Sequence, residues 1–377
     1  MKIAVNTRLL IKGKLGGLGW FTCQTLKRIT RDHPEHQFYF IFDRKWDEEY
    51  IFSDNVTPIK LGPQARHPIL WYIWFMFSIP RFLKKYKPDL FLSPDGFIPL
   101  TTNIPSLAVI HDINFYHLPQ DYPFFVKHFY LKYFPLYAAR SKRISTVSEF
   151  SKSDIVKSYN INPDKIDVVY NGSDPVFVPL SADQQKQVKK EYSDGKEFFV
   201  FIGSLVSRKN LSRTIEAFDI FKKKTGLPHK FIIIGEPIFR HCNAVEAHAK
   251  MTFREDVIFV GRIPRDKIRK VLASSRALLF VSCFEGFGIP LLEAFRCEVP
   301  VVAGNKTSLP EIGGDAAFYA DPYSVNDIAK VIMEIEKNES LRKELINKGR
   351  LRKEHFTWEK TAAKLWTCIE KTVPDKI

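Results

Sequence analysis

The sequence predicts an α/β protein of two halves, each built on a parallel sheet. Three observations carry that prediction. Short apolar runs rich in Val, Ile and Phe alternate with amphipathic helical stretches along most of the 377 residues. That alternation is the pattern of parallel strands joined by right-handed crossovers. A polar stretch from Pro179 to Lys196 interrupts it, and the alternation then restarts. The length itself suits two domains, each able to bury a substantial core.

The first half opens with Lys2 to Val5 as a short buried strand, followed by the glycine-rich GKLGGLGWFTCQTLKRI at the start of an amphipathic helix. Strand, glycine loop and helix form the phosphate-binding opening of many α/β folds. A tight turn that needs small residues is the plainer alternative. The pattern is not GxGxxG, and Asp43 is the nearest carboxylate for a dinucleotide ribose, so a nicotinamide site has little support. Gln37 to Phe42, Thr57 to Leu61, Asp89 to Ser93, Ser106 to Ile110 and Arg143 to Val147 read as further strands.

His67 to Lys87, HPILWYIWFMFSIPRFLKKYK, crowds aromatics ahead of a basic end. Its apolar part reads as a buried helix, while Arg81, Lys84, Lys85 and Lys87 suit the headgroups of acidic lipid. Phe124 to Lys142 is a second aromatic and basic helix, fit for an acceptor-side or membrane-facing surface. His111 and Asp112 follow the Ser106 strand, at the kind of strand end where open α/β sheets face a ligand. The pair can position a hydroxyl or carry a proton, or it can simply close a turn. Ser148 caps the next helix, with Ser151 and Asp154 following, and Asp167 to Tyr170, NGSD and VFVP close the half.

In the second half, Glu197 to Ile202 is a strand and GSLVSRKN leads into a helix with Asn210 as its N-cap. Arg208 and Lys209 stand at that junction. Adjacent cations past a strand end suit a diphosphate, arginine as a fork and lysine as a point charge. An exposed basic turn in a basic protein is the alternative. Strands at Lys230–Ile234, Val257–Val260, Ala277–Val281, Val299–Ala303 and Ala316–Tyr319 alternate with helices, the last being Val325–Lys337 and Leu341–Gly349. The chain closes on FTWEKTAAKLWTCIEK, an amphipathic helix.

Phe280 to Gly314 carries the densest chemistry. A strand breaks into a glycine-punctuated turn bearing Glu285, and a helix opens at Pro290 with Glu293 on its first turn. Proline suits the first helical position, where its missing N–H would have had no partner. Gly286 and Gly288 let backbone approach a ligand, and the free N–H groups at the helix start favour an anion. Two carboxylates thus bracket a phosphate seat. The alternative is a strand–turn–helix with one solvated and one capping glutamate.

Composition narrows the function classes. A net charge of +15 attracts anions, whereas basic residues dispersed along the chain argue against specific nucleic-acid recognition. Five scattered cysteines (Cys23, Cys242, Cys283, Cys297, Cys368) with no CxxC pair fit a reducing cytoplasm, against a disulfide framework or a structural zinc site. The N-terminus enters a strand directly, without a signal-peptide pattern. Pro68 to Pro80, the longest apolar run, falls short of the roughly 20 residues a spanning helix needs. A cytoplasmic protein, with peripheral contact to the inner face of an acidic membrane, is the expectation.

Taken together, GGLG near the start, VIHD, TVSEFS, VVYNGSD, FIGSLVSRKN, and SCFEGFGIPLLEA with GNKTSLPEIGGDAA resemble the retaining glycosyltransferases of family 4. The match runs in order over nearly the whole chain and includes the family's glutamate–seven residues–glutamate signature, here Glu285 and Glu293. The resemblance implies a GT-B architecture, two Rossmann-like domains with parallel sheets facing across a cleft. Residues 1–178 would bind the acceptor and residues 179–355 the nucleotide-sugar, with a helix over 356–377 crossing back to the first domain.

The resemblance also assigns roles. Arg208 and Lys209 would neutralise the donor diphosphate, Glu293 hold the ribose and Glu285 the transferred sugar, with Gly286, Phe287 and Gly288 near its hydroxyls. Gly203, Ser204, Ile289 and Leu292 belong to the same donor site. Arg262 and Ile263 would hold the base through backbone. His111 would approach the sugar, and Gly16 and Gly17 would meet the phosphate.

Glu285, His111, Arg208 and Lys209 form the expected catalytic set, acting by front-face substitution in which a donor phosphate oxygen takes the acceptor proton. No Asp-x-Asp occurs, so neither a metal nor a cofactor is expected. Overall similarity to bacterial mannosyltransferases of surface polysaccharide assembly suggests GDP-mannose as donor and a polyprenyl-linked or growing glycan as acceptor. A UDP- or dTDP-sugar donor, an epimerase or phosphorylase of the same architecture, and a basic membrane-surface protein are the alternatives.

Overall fold

The computed structural model describes residues 1–236 and 243–374, so Cys242 and the last residues of the expected 356–377 helix lie outside the described residues. The chain forms two compact units: Met1–Asn171 with Trp358–Ile377, and Gly172–Thr357.

The first unit holds strands β1 (Lys2–Asn6), β2 (Gln37–Phe42), β3 (Val56–Lys60), β4 (Leu90–Ser93), β5 (Ser106–Val109), β6 (Arg143–Thr146) and β7 (Ile166–Val168). They lie in the order β3-β2-β1-β4-β5-β6-β7, every neighbouring pair parallel. Both faces are covered, which is why the strands read as unbroken apolar runs rather than alternating ones. On one face Ile3, Val5, Phe38 and Phe40 pack with Phe21 and with Leu365 and Trp358 of the C-terminal helix. On the other, Ala4, Ile41 and Phe91 pack into an aromatic mass of Trp74, Phe75, Phe97, Phe129, Phe134 and Tyr137.

The His67–Lys87 segment is helical throughout, with a wider turn at Trp74–Ser78 between Pro68–Ile73 and Ile79–Tyr86. The widening sits just before Pro80, whose ring nitrogen brings no N–H to the helical ladder. Trp74, Phe75, Met76, Ile79, Phe82 and Leu83 are buried, while Arg81, Lys84, Lys85 and Lys87 are exposed. The buried-helix reading holds for the apolar part. Among the described residues, no helix is long and apolar enough to cross a membrane.

The second unit holds β8 (Phe198–Ile202), β9 (Lys230–Ile234), β10 (Val257–Gly261), β11 (Ala277–Phe280), β12 (Val301–Gly304) and β13 (Ala317–Ala320). Their order is β10-β9-β8-β11-β12-β13, again all parallel. Strand order reverses between β1 and β4 in the first sheet and between β8 and β11 in the second. Such switch points, at the carboxyl ends of the strands, are where open α/β sheets hold ligands.

One boundary differs from the sequence reading. Residues 172–178, read there as closing the first half, belong to the second unit. Asp174 pairs with Arg265 at 3.2 Å, Arg265 lies 5.1 Å over the Phe177 ring, and the Ser173 N–H donates to the Phe356 carbonyl. The C-terminal helix, Trp358–Thr372, groups with the first unit, where Glu359 pairs with Arg28 and Lys371 with Asp167.

Candidate active site

The loops leaving β8 and β11 meet at the second unit's switch point. Beside them, β8 and β9 end on glycines in close contact: a Cβ on Gly235 would sit 1.8 Å from the Gly203 carbonyl oxygen, and both have positive φ. Ser204 is half-buried on the same loop. A tight turn over Ser207–Lys209 then presents the two cations.

Arg208 Nη1 donates to the Phe284 carbonyl at 3.0 Å and to Glu285 Oε2 at 3.1 Å. Lys209 Nζ stands 2.6 Å from Glu285 Oε1 and 4.5 Å over the Phe280 ring. The Cys283 N–H donates to the Arg208 carbonyl at 2.8 Å, which ties the two loops together.

Asn210 stands at the N-cap position that the sequence suggests, but it does not cap the helix through its side chain. Its backbone is left-handed (φ 59°) and its side chain caps nothing, whereas a capping residue needs extended backbone to aim its oxygen at the first turn. Asparagine tolerates the left-handed region, and its Nδ2 donates instead to the carbonyls of Val281 (3.0 Å) and Pro322 (2.6 Å). It is a clamp between strand ends.

The Glu285 turn is held from the β12 side. The Glu285 N–H donates to Thr307 Oγ1 at 3.1 Å, and Ser308 Oγ lies 2.8 Å and 3.0 Å from the carbonyls of Glu285 and Phe287. Gly288 has φ +111°, a conformation L side chains rarely adopt, and caps a helix running Ile289–Arg296. Pro290 is therefore the second helical residue, not the first, because the left-handed glycine starts the helix one position earlier. Glu293 accordingly lies beyond the first turn. Gly286 is buried, Ile289 half-buried, and Phe287 buried edge-on to Phe356 at 5.8 Å. Leu292 is fully buried, so its side chain is part of the core.

The two glutamates are both buried, yet their electrostatics diverge. Burial alone would raise Glu285, but Lys209 and Arg208 outweigh it and hold the carboxyl below its ordinary range. Glu293 is pushed up to about 7 by burial, with Asp174 adding to the rise and Arg265 opposing it. Arg265 Nη2 bridges Glu293 and Asp174 at 3.2 Å each. Environments that drive paired acids apart assign them different tasks: Glu285 stays an anion against cations, while Glu293 exchanges a proton near neutrality. Arg262, exposed, and Ile263, half-buried, follow the end of β10.

Sequence reading passed over Arg265, Asp174, Thr307 and Ser308. Asp174 lay in the quoted NGSD and Arg265 three positions past Arg262, but a contact spanning that separation leaves no local pattern.

In the first unit, Gly16 stands at the N-cap and Gly17 at the first position of the Gly17–Asp32 helix; a Cβ on either would meet nothing within 4 Å. The surrounding atoms therefore do not demand glycine, and the helix start is open to approach. His111 follows β5, edge-on to Phe21 at 4.8 Å, with Nε2 3.0 Å from the Pro94 carbonyl. A carbonyl only accepts, so Nε2 carries the proton and Nδ1 is the ring's acceptor. Burial lowers the His111 pKa from its usual value, which keeps the ring neutral at pH 7. Asp112 closes the local turn through the Asn114 N–H and side chain. The turn reading is right for Asp112.

Residues 15–177 match the family described as "Glycosyltransferase Family 4" and residues 183–352 the one described as "Glycosyl transferases group 1". The chain is a family 4 glycosyltransferase of GT-B fold. The glycosyltransferase is 27% identical over 370 residues to O-antigen chain mannosyltransferase B of Escherichia coli, covering 95% of this chain and 97% of that one. It is 25% identical over 303 residues to O-antigen chain mannosyltransferase RfbU of Salmonella typhimurium, covering 80% and 79%. Among solved structures it resembles Anabaena Alr3699/HepE in complex with UDP and glucose, with a TM-score of 0.75 at 16% identity over 98% and 99% of the two chains. That likeness shows the fold.

Proposed function

We propose that this glycosyltransferase moves mannose from GDP-mannose, with retained configuration, onto a polyprenyl-linked or growing glycan of a cell-surface polysaccharide. The Arg208–Lys209–Glu285 cluster at the β8/β11 switch point carries the reading. Arg208 and Lys209 there gather on Glu285 beside the strand ends, a guanidinium fork and an ammonium of the kind that suit a diphosphate. The names of the two enterobacterial relatives supply mannose and O-antigen as the sugar and the product class.

The chemistry breaks the glycosidic bond to a diphosphate and forms one to an acceptor alcohol. Its barrier falls chiefly by stabilising charge on the leaving diphosphate, through Arg208, Lys209 and the N–H groups opening the Ile289–Arg296 helix. Glu285 orients the sugar through its hydroxyls beside the Gly286–Gly288 backbone. Glu293 accepts from the ribose hydroxyls, Arg262 and Ile263 frame the base, and Gly203 and Ser204 line the phosphate side. His111 Nδ1 accepts a hydrogen bond from a sugar hydroxyl, and Gly16 and Gly17 leave room for phosphate at their helix start. A donor phosphate oxygen takes the acceptor proton, so no protein nucleophile is required, and we propose transfer without metal or cofactor. Activity that disappears with EDTA and returns with Mg²⁺ would count against that last point.

The enzyme would work in the cytoplasm against the inner membrane face. Phe124 and Phe125 are 64% and 75% exposed at the start of the Phe124–Arg140 helix, and Ile69 is 68% exposed. Lys84, Lys85 and Lys87 are exposed as well, which is the pairing of apolar and basic groups that anionic lipid attracts. A thermal-shift series with GDP-, UDP- and dTDP-sugars, followed by transfer assays, tests the donor. The largest rise with GDP-mannose is expected; a rise only with UDP-sugars would overturn that donor.

A further inference from the structure

The first unit's switch point holds a second cluster of buried charge. Asn6 ends β1, Ser93 ends β4, and Arg8 and Asp95 follow these strands; all four side chains are buried. Asp95 is the hub. Its Oδ1 accepts from Asn6 Nδ2 at 2.8 Å, Ser93 Oγ at 3.0 Å and the Phe97 N–H at 3.3 Å. Its Oδ2 accepts from Arg8 Nε at 2.6 Å. Arg8 in turn lies 4.4 Å over the Phe97 ring and 5.4 Å over Phe75.

Burying such a pair is a poor route to stability, because removing two charges from water offsets most of their attraction. The network instead fixes the conformation of the Ser93–Phe97 turn. Pro94 lies inside that turn, and its carbonyl receives the His111 Nε2–H at 3.0 Å. The carbonyl's orientation decides which ring nitrogen carries the proton. With Nε2 protonated, Nδ1 is left as the acceptor. Were the turn to rotate the carbonyl away, either tautomer would form and the acceptor nitrogen would be in the wrong place in part of the population.

We infer that Asp95 is a positioning residue for sugar transfer: by locking the Ser93–Phe97 turn it aims the Pro94 carbonyl at His111 and sets that histidine's tautomer. The inference rests on the reading in which His111 acts on the sugar. It goes beyond that reading by assigning a task to a buried acid that touches neither donor nor acceptor, with Arg8 and Asn6 as the groups that hold it.

The test combines a spectroscopic and a kinetic measurement on the full chain. Asp95→Asn removes the charge, and Asn6→Ala removes one donor while leaving the Arg8–Asp95 pair intact, so at least one variant should fold. Imidazole ¹⁵N chemical shifts are expected to show Nε2-protonated His111 in the wild type and a tautomer mixture in both variants, larger in Asp95→Asn. Unchanged His111 shifts in both variants overturn the inference. Turnover in Asp95→Asn should fall by about tenfold to a hundredfold, the scale expected when a reacting group is misplaced, with donor KM within about twofold. A shifted tautomer with unchanged kcat would also overturn it. Full activity in His111→Ala would instead overturn the reading on which the inference rests, and would do so whatever the spectra show.

Discussion

The two switch points have the same topology and opposite charge design. In the second unit, Arg208 and Lys209 both pair with Glu285 beside the strand ends. In the first, Arg8 and Asp95 are matched one to one and enclosed by aromatic rings. Adjacent arginine and lysine at such a place are suited to receiving an anion, one as a fork and one as a point charge. A balanced, buried one has nothing left to attract and serves geometry. On the proposed reading the same kind of α/β crevice is specialised twice, once for binding charge and once for holding a turn.

The largest effect should come from the Arg208–Lys209 side. Arg208→Ala is expected to lower kcat by about 10²–10³-fold, the range for losing one preorganised donor to developing charge. Steady-state kinetics with GDP-mannose would show it, and a variant with wild-type turnover would remove Arg208 from the reaction. Salt should weaken the same interaction, since a partly exposed guanidinium meeting a diphosphate is screened.

Glu293 makes a sharper comparison with Glu285. Its folded pKa is raised to about 7 against about 4.3 in an unfolded chain, so ionising it costs folding stability. That cost is absent below the unfolded value, grows as pH rises through the window, and is complete above about 7. Glu293→Gln should therefore unfold at higher denaturant than wild type at pH 8, by an amount on the order of 1–3 kcal/mol, and show no such gain at pH 4. Glu285→Gln should move the opposite way at neutral pH, because its carboxyl is held low by Lys209 and Arg208 and the loss strands two cations. Equal stability changes in the two variants would mean that the environments are not distinct.

A smaller effect is expected at the exposed aromatic surface. Phe124→Ser with Phe125→Ser should reduce cosedimentation with vesicles containing anionic lipid several-fold while leaving donor binding unchanged. Loss of both would point to a folding defect instead.

Much of this was legible in the sequence. Strands buried on both faces, such as Leu90–Phe91–Leu92, are apolar without a break and announce a parallel sheet. Glu285, Arg208 and Lys209 stood out because each adjoins a strand end and a glycine-marked turn. What escaped notice was set by long-range contacts. Asp174 was assigned to the wrong half because its partner Arg265 lies far along the chain. Asn210 carries the side chain of an N-cap, and only its left-handed backbone reveals a clamp. Pro290 sits one position later than a first-turn proline because Gly288 opens the helix before it. Leu292 fits the motif by position, yet its side chain is core. Local patterns specify elements; they do not specify which buried charges meet.

We propose that the Arg208–Lys209–Glu285 cluster seats the donor diphosphate. Calorimetric titration of GDP into wild type and into the Arg208→Ala, Lys209→Ala double variant tests it most directly. Hydrogen bonds to charged groups are worth about 1.5–3 kcal/mol each. The double variant, checked as folded by circular dichroism, should therefore lose at least about a hundredfold in affinity. GDP binding of unchanged strength in that variant would contradict the account.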